Sequence, residues 1–594
     1  MKKVDISNKI TYMDALMMPF RISPLYTVLY WCDAIVRLAL APLDVVATAA
    51  FVDSALSAAT TGDWQPALLW LLLILLIKVY YYVSEPILQI IAKKRGELEW
   101  EAVDYPAVKL RASLKLQYAE NSEICDLIDR TGAPAAKLCA VQSHLVELLI
   151  FVGKIAGCAV ILLINAPLIG GFILLCALPM VLLAKRCAGA QYKIKQDITA
   201  SERYAGSFRD YLSNRECTAE RSLFSYFDYV NEKFKTAYYK SRRAVLGAEI
   251  SWGVRKGLAG VLLCALCAAS ILLLFPSVAA GTVSVGLYIS LIRAIFSGAE
   301  DIAYNLSEYL ERIMEDANFL AEFASYVELE RTPDALVSLS KDAPAFETLV
   351  FSHVSFTYPG CEQPVLTDVS FTIEAGKHYS LIGVNGSGKS TIIKLILKLY
   401  DSYSGEIFLN GIPLSDWSLS DVKTMMSAVF QDFAHFEIPL CDNIRIGSGF
   451  MASDAEIDSA IHEASLDGLC SELPQGKETP IGKIHENGTE LSGGQWQKVA
   501  IARMAVSRST LKIFDEPTAA LDPIAERNVY DRYSELCRGA ATIFISHRLA
   551  SCIHADEIFL LDNGTISERG THAELMALGG KYREMFDSQR EWYI

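Results

Sequence analysis

Six apolar stretches fill the first half of this 594-residue chain, near 26–57, 65–92, 138–164, 166–186, 253–275 and 282–305. Several exceed the roughly 20 residues that a helix needs to cross a bilayer. The run 68–77 is leucine and isoleucine except for Trp70, and 257–275 carries no charge. At 52% apolar residues, the whole chain has the composition of a membrane resident. The break at Asn165-Ala166-Pro167 separates the third stretch from the fourth.

Loop charge orients these stretches. The connections near 58–64, 164–168 and 276–281 contain no lysine or arginine. The other ends carry Lys2, Lys3, Lys93, Lys94, Arg95, Lys185, Arg186, Arg242 and Arg243. The positive-inside rule then puts both termini in the cytoplasm. The N-terminus lacks a cleavable signal pattern, and 13–25 reads as an interfacial helix. Two polar stretches, about 93–137 and 187–252, are poor in proline, glycine and serine, which argues against flexible linkers.

Ionisable residues inside apolar stretches are costly and mark cavities or pairs. Asp33, Arg37 and Asp44 fall in the first, Lys78 and Glu85 in the second, Lys154 in the third, and Arg293 and Glu300 in the sixth. Asp33 and Arg37 stand one helical turn apart and are positioned to pair. Lys78 and Arg293 have no local partner in sequence, so they are expected to line a polar cavity suited to anionic groups. The fourteen cysteines are scattered, many inside apolar runs, where cysteine packs as a small hydrophobe. The net charge of −15 argues against nucleic acid as a partner.

The second half opens differently. Gly383-Val384-Asn385-Gly386-Ser387-Gly388-Lys389-Ser390-Thr391 has the spacing of a phosphate-cradling loop. An apolar, strand-like run precedes it at 379–383, and an amphipathic, helix-like run follows at 392–399. Glycines let backbone N–H groups turn inward, and the helix N-terminus favours anionic phosphate. Lys389 is the candidate for the terminal phosphates and Ser390 for Mg²⁺. Leu491-Ser492-Gly493-Gly494-Gln495 is a second anion-binding turn before a helix.

From about 346 to the end these motifs occur in the order of an ABC-type ATPase domain, which the region resembles. The resemblance implies roles for particular residues. Tyr358, in Val354-Ser355-Phe356-Thr357-Tyr358, would stack on adenine. Gln431 would touch Mg²⁺, Asp515 would hold it through water, and Glu516 would polarise the attacking water. Asp522 lies in the loop that signals across a dimer, and His547 matches the switch histidine at the γ-phosphate. Ser492, Gly493, Gly494 and Gln495 form the signature that faces nucleotide held by the opposite copy. Phosphoryl transfer needs charge neutralisation and a positioned nucleophile, which this set supplies.

The whole chain resembles a bacterial half-transporter of the ABC exporter (type IV) family. The implied fold is an all-α, six-helix transmembrane domain over 1–325, a linker over 326–345, and an α/β P-loop ATPase domain over 346–594. Each polar stretch of the first half would end in a short transverse helix, near 117–130 and 214–226, that docks on an ATPase domain. The cofactors implied are ATP and Mg²⁺, and the partner is a second copy, a heterodimer being the alternative. The implied activity is ATP-driven export of an amphipathic peptide, lipid or drug-like molecule across the bacterial cytoplasmic membrane. An importer on the same fold and an ATP-gated or regulatory membrane protein are the alternatives. Two features depart from the pattern. Ile484-His485-Glu486-Asn487-Gly488 lengthens the approach to the signature, and with Gln495-Trp496-Gln497-Lys498 resembles a peptide-exporter subgroup. Lys512 interrupts an apolar strand, and its stem is expected to reach the surface.

Overall fold

The computed structural model describes residues 6–214, 217–516, 539–545 and 549–591. It forms two units: Met1–Leu110 with Asp126–Leu329, and Arg111–Cys125 with Glu330–Ile594.

The first unit is helical. Helix α1 (Tyr12–Ile22) starts at Thr11, whose side chain and that of Asp14 close a capping box. Two long helices follow, α2 (Pro24–Thr61) and α3 (Gln65–Glu99). A π turn, Trp100–Asp104, carries α3 into α4 (Tyr105–Ala112). After α5 (Leu116–Ala119) and α6 (Ser122–Arg130) come α7 (Pro134–Asn165) and α8 (Pro167–Ser213). Ala166 leaves the helical region (φ −150°, ψ 71°) and Pro167 opens α8, where its missing N–H costs nothing. Helix α9 (Thr218–Leu223) separates α8 from α10 (Phe227–Ala279), and α11 (Val285–Glu328) closes the unit.

Helices α2, α10, α7 and the continuous α3–α4 rod are each long and apolar enough to cross a membrane. In the most apolar windows of α2, α3 and α7 only 11% of residues are buried, so their hydrocarbon faces outward. On α3, Leu68, Leu69, Leu72, Leu75 and Leu76 are exposed while Ala67, Ile77 and Ser84 are buried. Small residues make the helix contacts, as in membrane bundles. A Cβ on Gly286 of α11 would lie 2.0 Å from the Ala49 carbonyl oxygen of α2. The Gly286 N–H donates to Asp53 Oδ1 at 2.7 Å across the same contact.

The charges within these helices are mostly paired. Arg37 contacts Asp33 at 2.7 Å and Glu85 at 3.0 Å, and the Tyr80 hydroxyl donates to Asp33. Lys154 donates to Asp301 at 2.6 Å. Lys78, which has no local partner in sequence, donates to Asp44 Oδ2 at 3.0 Å, a residue 34 positions away on the preceding helix. Arg293 has no carboxylate partner among the described residues.

The second unit is α/β. Strands β1 (Thr348–Phe356), β2 (Leu366–Glu374), β4 (Ser404–Leu409) and β5 (Ile412–Pro413) make an antiparallel sheet, order β2-β1-β4-β5. Its inner face alternates with the pleat, and Phe351 stacks on its cross-strand partner Phe371 at 4.4 Å. The other sheet has six strands, order β10-β9-β3-β8-β7-β6. These are β3 (His378–Gly383), β6 (Met426–Val429), β7 (Leu511–Asp515), β8 (Ala541–Ile545), β9 (Glu557–Asp562) and β10 (Thr565–Gly570). All but β10 run parallel, and β7 is buried at every residue, as a strand covered on both faces must be.

Helix α12 (Lys389–Ile396) follows β3, and α13 (Leu419–Met425) precedes β6. A helical layer of α14 (Leu440–Arg445), α15 (Asp454–Glu463), α16 (Asp467–Glu472) and α17 (Gly493–Ala505) lies between β6 and β7 in the chain. Segment Arg111–Cys125 belongs to this unit. Lys115 pairs with Glu330 at 2.6 Å and Asp401 at 2.8 Å, and the Thr332 N–H donates to the Ser113 carbonyl.

Candidate nucleotide site

Strand β3 ends at Gly383, between β9 and β8 in the sheet. Gly383 has φ 151°, and a Cβ there would lie 2.2 Å from the Leu561 carbonyl oxygen, so no other residue fits. Val384, Asn385 and Gly386 form the exposed crest of the loop, while Ser387 and Lys389 are buried beneath it. Gly388, in the left-handed region, caps α12. Lys389 bends back into its own loop and donates to the carbonyls of Gly383 at 2.9 Å and Val384 at 3.0 Å. Burial pulls its pKa down, opposed by the charges of Glu516 and Asp515.

Asp515 ends β7. Burial pushes its pKa up to about 6, with the Ser390 hydroxyl bond opposing and the Glu516 charge reinforcing that rise. Its Oδ1 and the Ser387 Oγ are buried with no hydrogen-bond partner. Two orphaned oxygens beside a buried lysine make an unfinished polar site, since such groups are ordinarily satisfied. Glu516, the next residue, sits at φ 51°, and its N–H donates to the Ile545 carbonyl at 3.1 Å. A glutamate held in the left-handed region stores strain of order 1 kcal/mol, a feature that clusters at functional sites. Lys512 is buried within β7, so its stem does not reach the surface as the sequence suggested.

Gln431 is exposed two residues beyond β6, which pairs with β7 through Val429 and Phe514. The Tyr358 hydroxyl hydrogen-bonds the Thr391 hydroxyl at 3.0 Å, and its ring meets Tyr400 edge-on at 5.4 Å. Ser492 caps α17: its Oγ accepts from the Gln495 N–H at 3.3 Å, and Gln495 Oε1 accepts from the Ser492 N–H at 2.8 Å. That reciprocal pair leaves Ser492 and Gly493 exposed at the helix start. Asp522 and His547 lie outside the described residues.

Sequence reading missed Arg503. Its guanidinium donates to the Ala434 carbonyl at 2.8 Å and to the Asn443 carbonyl and Oδ1 at 3.1 and 2.6 Å, and lies over Phe436. Burial lowers its pKa to about 10. His435 stacks on Trp496 at 4.4 Å. The segment after Gln431 is therefore clamped to the helix that begins at the signature. No local pattern announces this, because the contacts span about 60 residues of sequence.

The residues fit a magnesium nucleotide. The glycine loop and Lys389 suit its phosphates, and the orphaned Asp515 oxygen with Ser390 offers oxygen donors of the kind Mg²⁺ prefers. Glycine loop, buried lysine and paired acidic residues in one α/β unit, following a helical unit with membrane-length helices, define a membrane-embedded protein with an ABC-type ATP-binding domain.

Comparison with known proteins agrees. The family model "ABC transporter" matches residues 366–519. The chain is 39% identical over 261 residues to an ATP-dependent lipid A-core flippase of Haemophilus influenzae, covering 44% of each chain. It is 28% identical over 522 residues to the subtilin transport ATP-binding protein SpaT of Bacillus subtilis, covering 86% of this chain and 83% of that one. The chain thus spans less than half the length of the flippase it matches and most of the length of SpaT. The solved structure of a bacterial Atm1-family ABC exporter with ATP bound shares the fold, with a TM-score of 0.70 over 94% of this chain and 97% of that one at 24% identity. Residues 366–519 thus carry an ABC transporter domain, and the chain, with a helical domain ahead of it, shares the fold of that exporter structure.

Proposed function

We propose that two copies of this chain bind ATP at a shared seam and use its hydrolysis to export an amphipathic solute across the bacterial cytoplasmic membrane. The observation that carries this reading is the unfinished polar site around Lys389, Ser387 and Asp515, built into the same chain as helices whose hydrocarbon faces point outward. In this reading Lys389 leaves its loop carbonyls to meet phosphate, and Tyr358 holds the adenine. Ser390, Asp515 and Gln431 hold Mg²⁺, which neutralises charge on the phosphates. Glu516 orients the attacking water, with His547 at the γ-phosphate. Ser492 to Gln495 complete the site of the other copy, and Asp522 lies in the loop that signals between them. Helices α2, α3, α7, α8, α10 and α11 cross the bilayer, with both termini cytoplasmic.

The coupling route in this reading is segment 111–125, held to the ATP-binding domain and continuous in the chain with α4 and α6. Closure of the ATP-bound pair would shift the bundle between its two open states by differential affinity.

The full chain in nanodiscs tests the proposal. Glu516→Gln should bind ATP yet lose about a hundredfold or more in turnover, while Lys389→Ala should lose nucleotide binding. Full turnover by nanodiscs that hold a single copy would overturn the shared seam. Uptake of candidate solutes into inside-out vesicles tests the direction.

A further inference from the structure

A cavity of about 460 Å³ opens among α2, α3, α7, α10 and α11. Most of its wall is apolar surface. The charged lining residues are four cations, Arg37, Lys78, Lys154 and Arg293, and two carboxylates, Asp44 and Asp301. Three cations are already neutralised: Arg37 by Asp33 and Glu85, Lys78 by Asp44, and Lys154 by Asp301. Arg293 faces the cavity with no carboxylate partner among the described residues. It stands eight residues into α11, about 12 Å from the helix start at 1.5 Å per residue. With α11 crossing the bilayer as proposed above, that depth lies within a hydrocarbon core of about 30 Å, where an uncompensated guanidinium is costly.

We propose that this cavity binds an amphipathic anion, its phosphate or carboxylate on the Arg293 guanidinium and its hydrocarbon along the apolar wall. A planar guanidinium pairs both oxygens of such a group at once. The volume falls in the range of small-molecule sites. A cationic or neutral headgroup would leave Arg293 uncompensated, and the ion pairs beside it hold the other cations out of competition. The inference rests on the transport reading of the bundle.

The test is thermal unfolding of the full chain in phosphatidylcholine nanodiscs, a readout independent of hydrolysis. Three probes share one tail: tetradecyl phosphate, tetradecylphosphocholine and tetradecyltrimethylammonium. Tetradecyl phosphate should half-saturate its stabilising shift at a concentration about tenfold below the other two. Arg293→Gln should erase that preference, and Arg293→Lys should keep part of it. Equal half-saturation for all three on the unaltered protein overturns the proposal, as does a preference that survives Arg293→Gln. Should Arg293→Gln fail to assemble, the headgroup order on the unaltered protein still decides. A second arm replaces part of the phosphatidylcholine with phosphatidylglycerol. A stabilisation there that Arg293→Gln abolishes assigns the anion to a bilayer lipid, and a response to tetradecyl phosphate alone assigns it to a solute. Loss of ATP hydrolysis with the headgroup order intact would refute transport and keep the site. Hydrolysis with no headgroup order would refute the site alone.

Discussion

Lys394 donates to Glu120 at 2.7 Å, joining the helix of the phosphate loop to the short segment that links two membrane-domain helices in the chain. The same ammonium lies 5.4 Å from the centre of the Tyr358 ring, and the Tyr400 hydroxyl donates to the other Glu120 oxygen. Glu120 therefore touches both residues that flank the expected adenine platform.

Glu120→Gln should uncouple rather than unfold. The Lys394–Glu120 pair is partly exposed, at 28% and 40% of its side-chain area, so its loss should cost within about 1 kcal/mol. Solute-stimulated ATP hydrolysis should fall several-fold while unstimulated hydrolysis and the unfolding temperature stay close to those of the unaltered protein. A parallel loss of both rates would show that Glu120 shapes the nucleotide site itself.

Glu516 occupies a backbone conformation that glycine adopts freely. Glu516→Ala and Glu516→Gly should both abolish turnover, but the glycine variant should be the more stable by about 1 kcal/mol. Thermal unfolding of the two variants in the same nanodiscs measures the difference. Equal stability would mean that the loop relaxes out of the left-handed region.

Asp515 predicts a pH effect with a definite sign. Its folded-state pKa, about 6, lies above the ordinary value of 3.8, so the protonated form favours the fold. That contribution is full below about pH 4 and lost as pH rises through about 6, at about 1.4 kcal/mol for each pH interval of one between the two values. Without nucleotide, Asp515→Asn should be more stable than the unaltered protein at about pH 7.5, by up to about 3 kcal/mol, and the gap should close towards about pH 4. Magnesium nucleotide should stabilise the unaltered protein less as pH falls through about 6, because binding must displace a proton. Unfolding temperatures across that range, with and without nucleotide, check both statements.

The Lys154–Asp301 pair offers a cycle within the membrane domain. Lys154 is 41% exposed and Asp301 18%, so a coupling of about 1 kcal/mol is expected rather than the larger value of a fully buried pair. Asp301→Asn should cost more alone than when combined with Lys154→Met, since it leaves a cation without its carboxylate. Additive single changes would show the pair to be inert.

The fold class was legible because its signals are contiguous. A glycine loop works through successive backbone groups, so Gly383 to Thr391 is readable wherever it occurs. Apolar runs announce helices because lipid demands hydrocarbon along an unbroken stretch, as on the outer face of α3. The short helices α5, α6 and α9 fall within the polar stretches where transverse helices were expected. The partner of Lys78 was not legible. Asp44 sits on another helix, and only the rotation of α2 against α3 brings the two together.

Arg503 and Glu120 mark the same boundary. Composition and motif spacing specify what a segment is, because propensity, periodicity and backbone chemistry act over a few residues. Which charges meet depends on how whole faces pack, and packing is settled by side chains tens to hundreds of residues apart. The ATP-binding chemistry belongs to the first kind of information. The clamp on the segment after Gln431, the grip of Glu120 on Lys394 and the cavity-facing charge of Arg293 belong to the second.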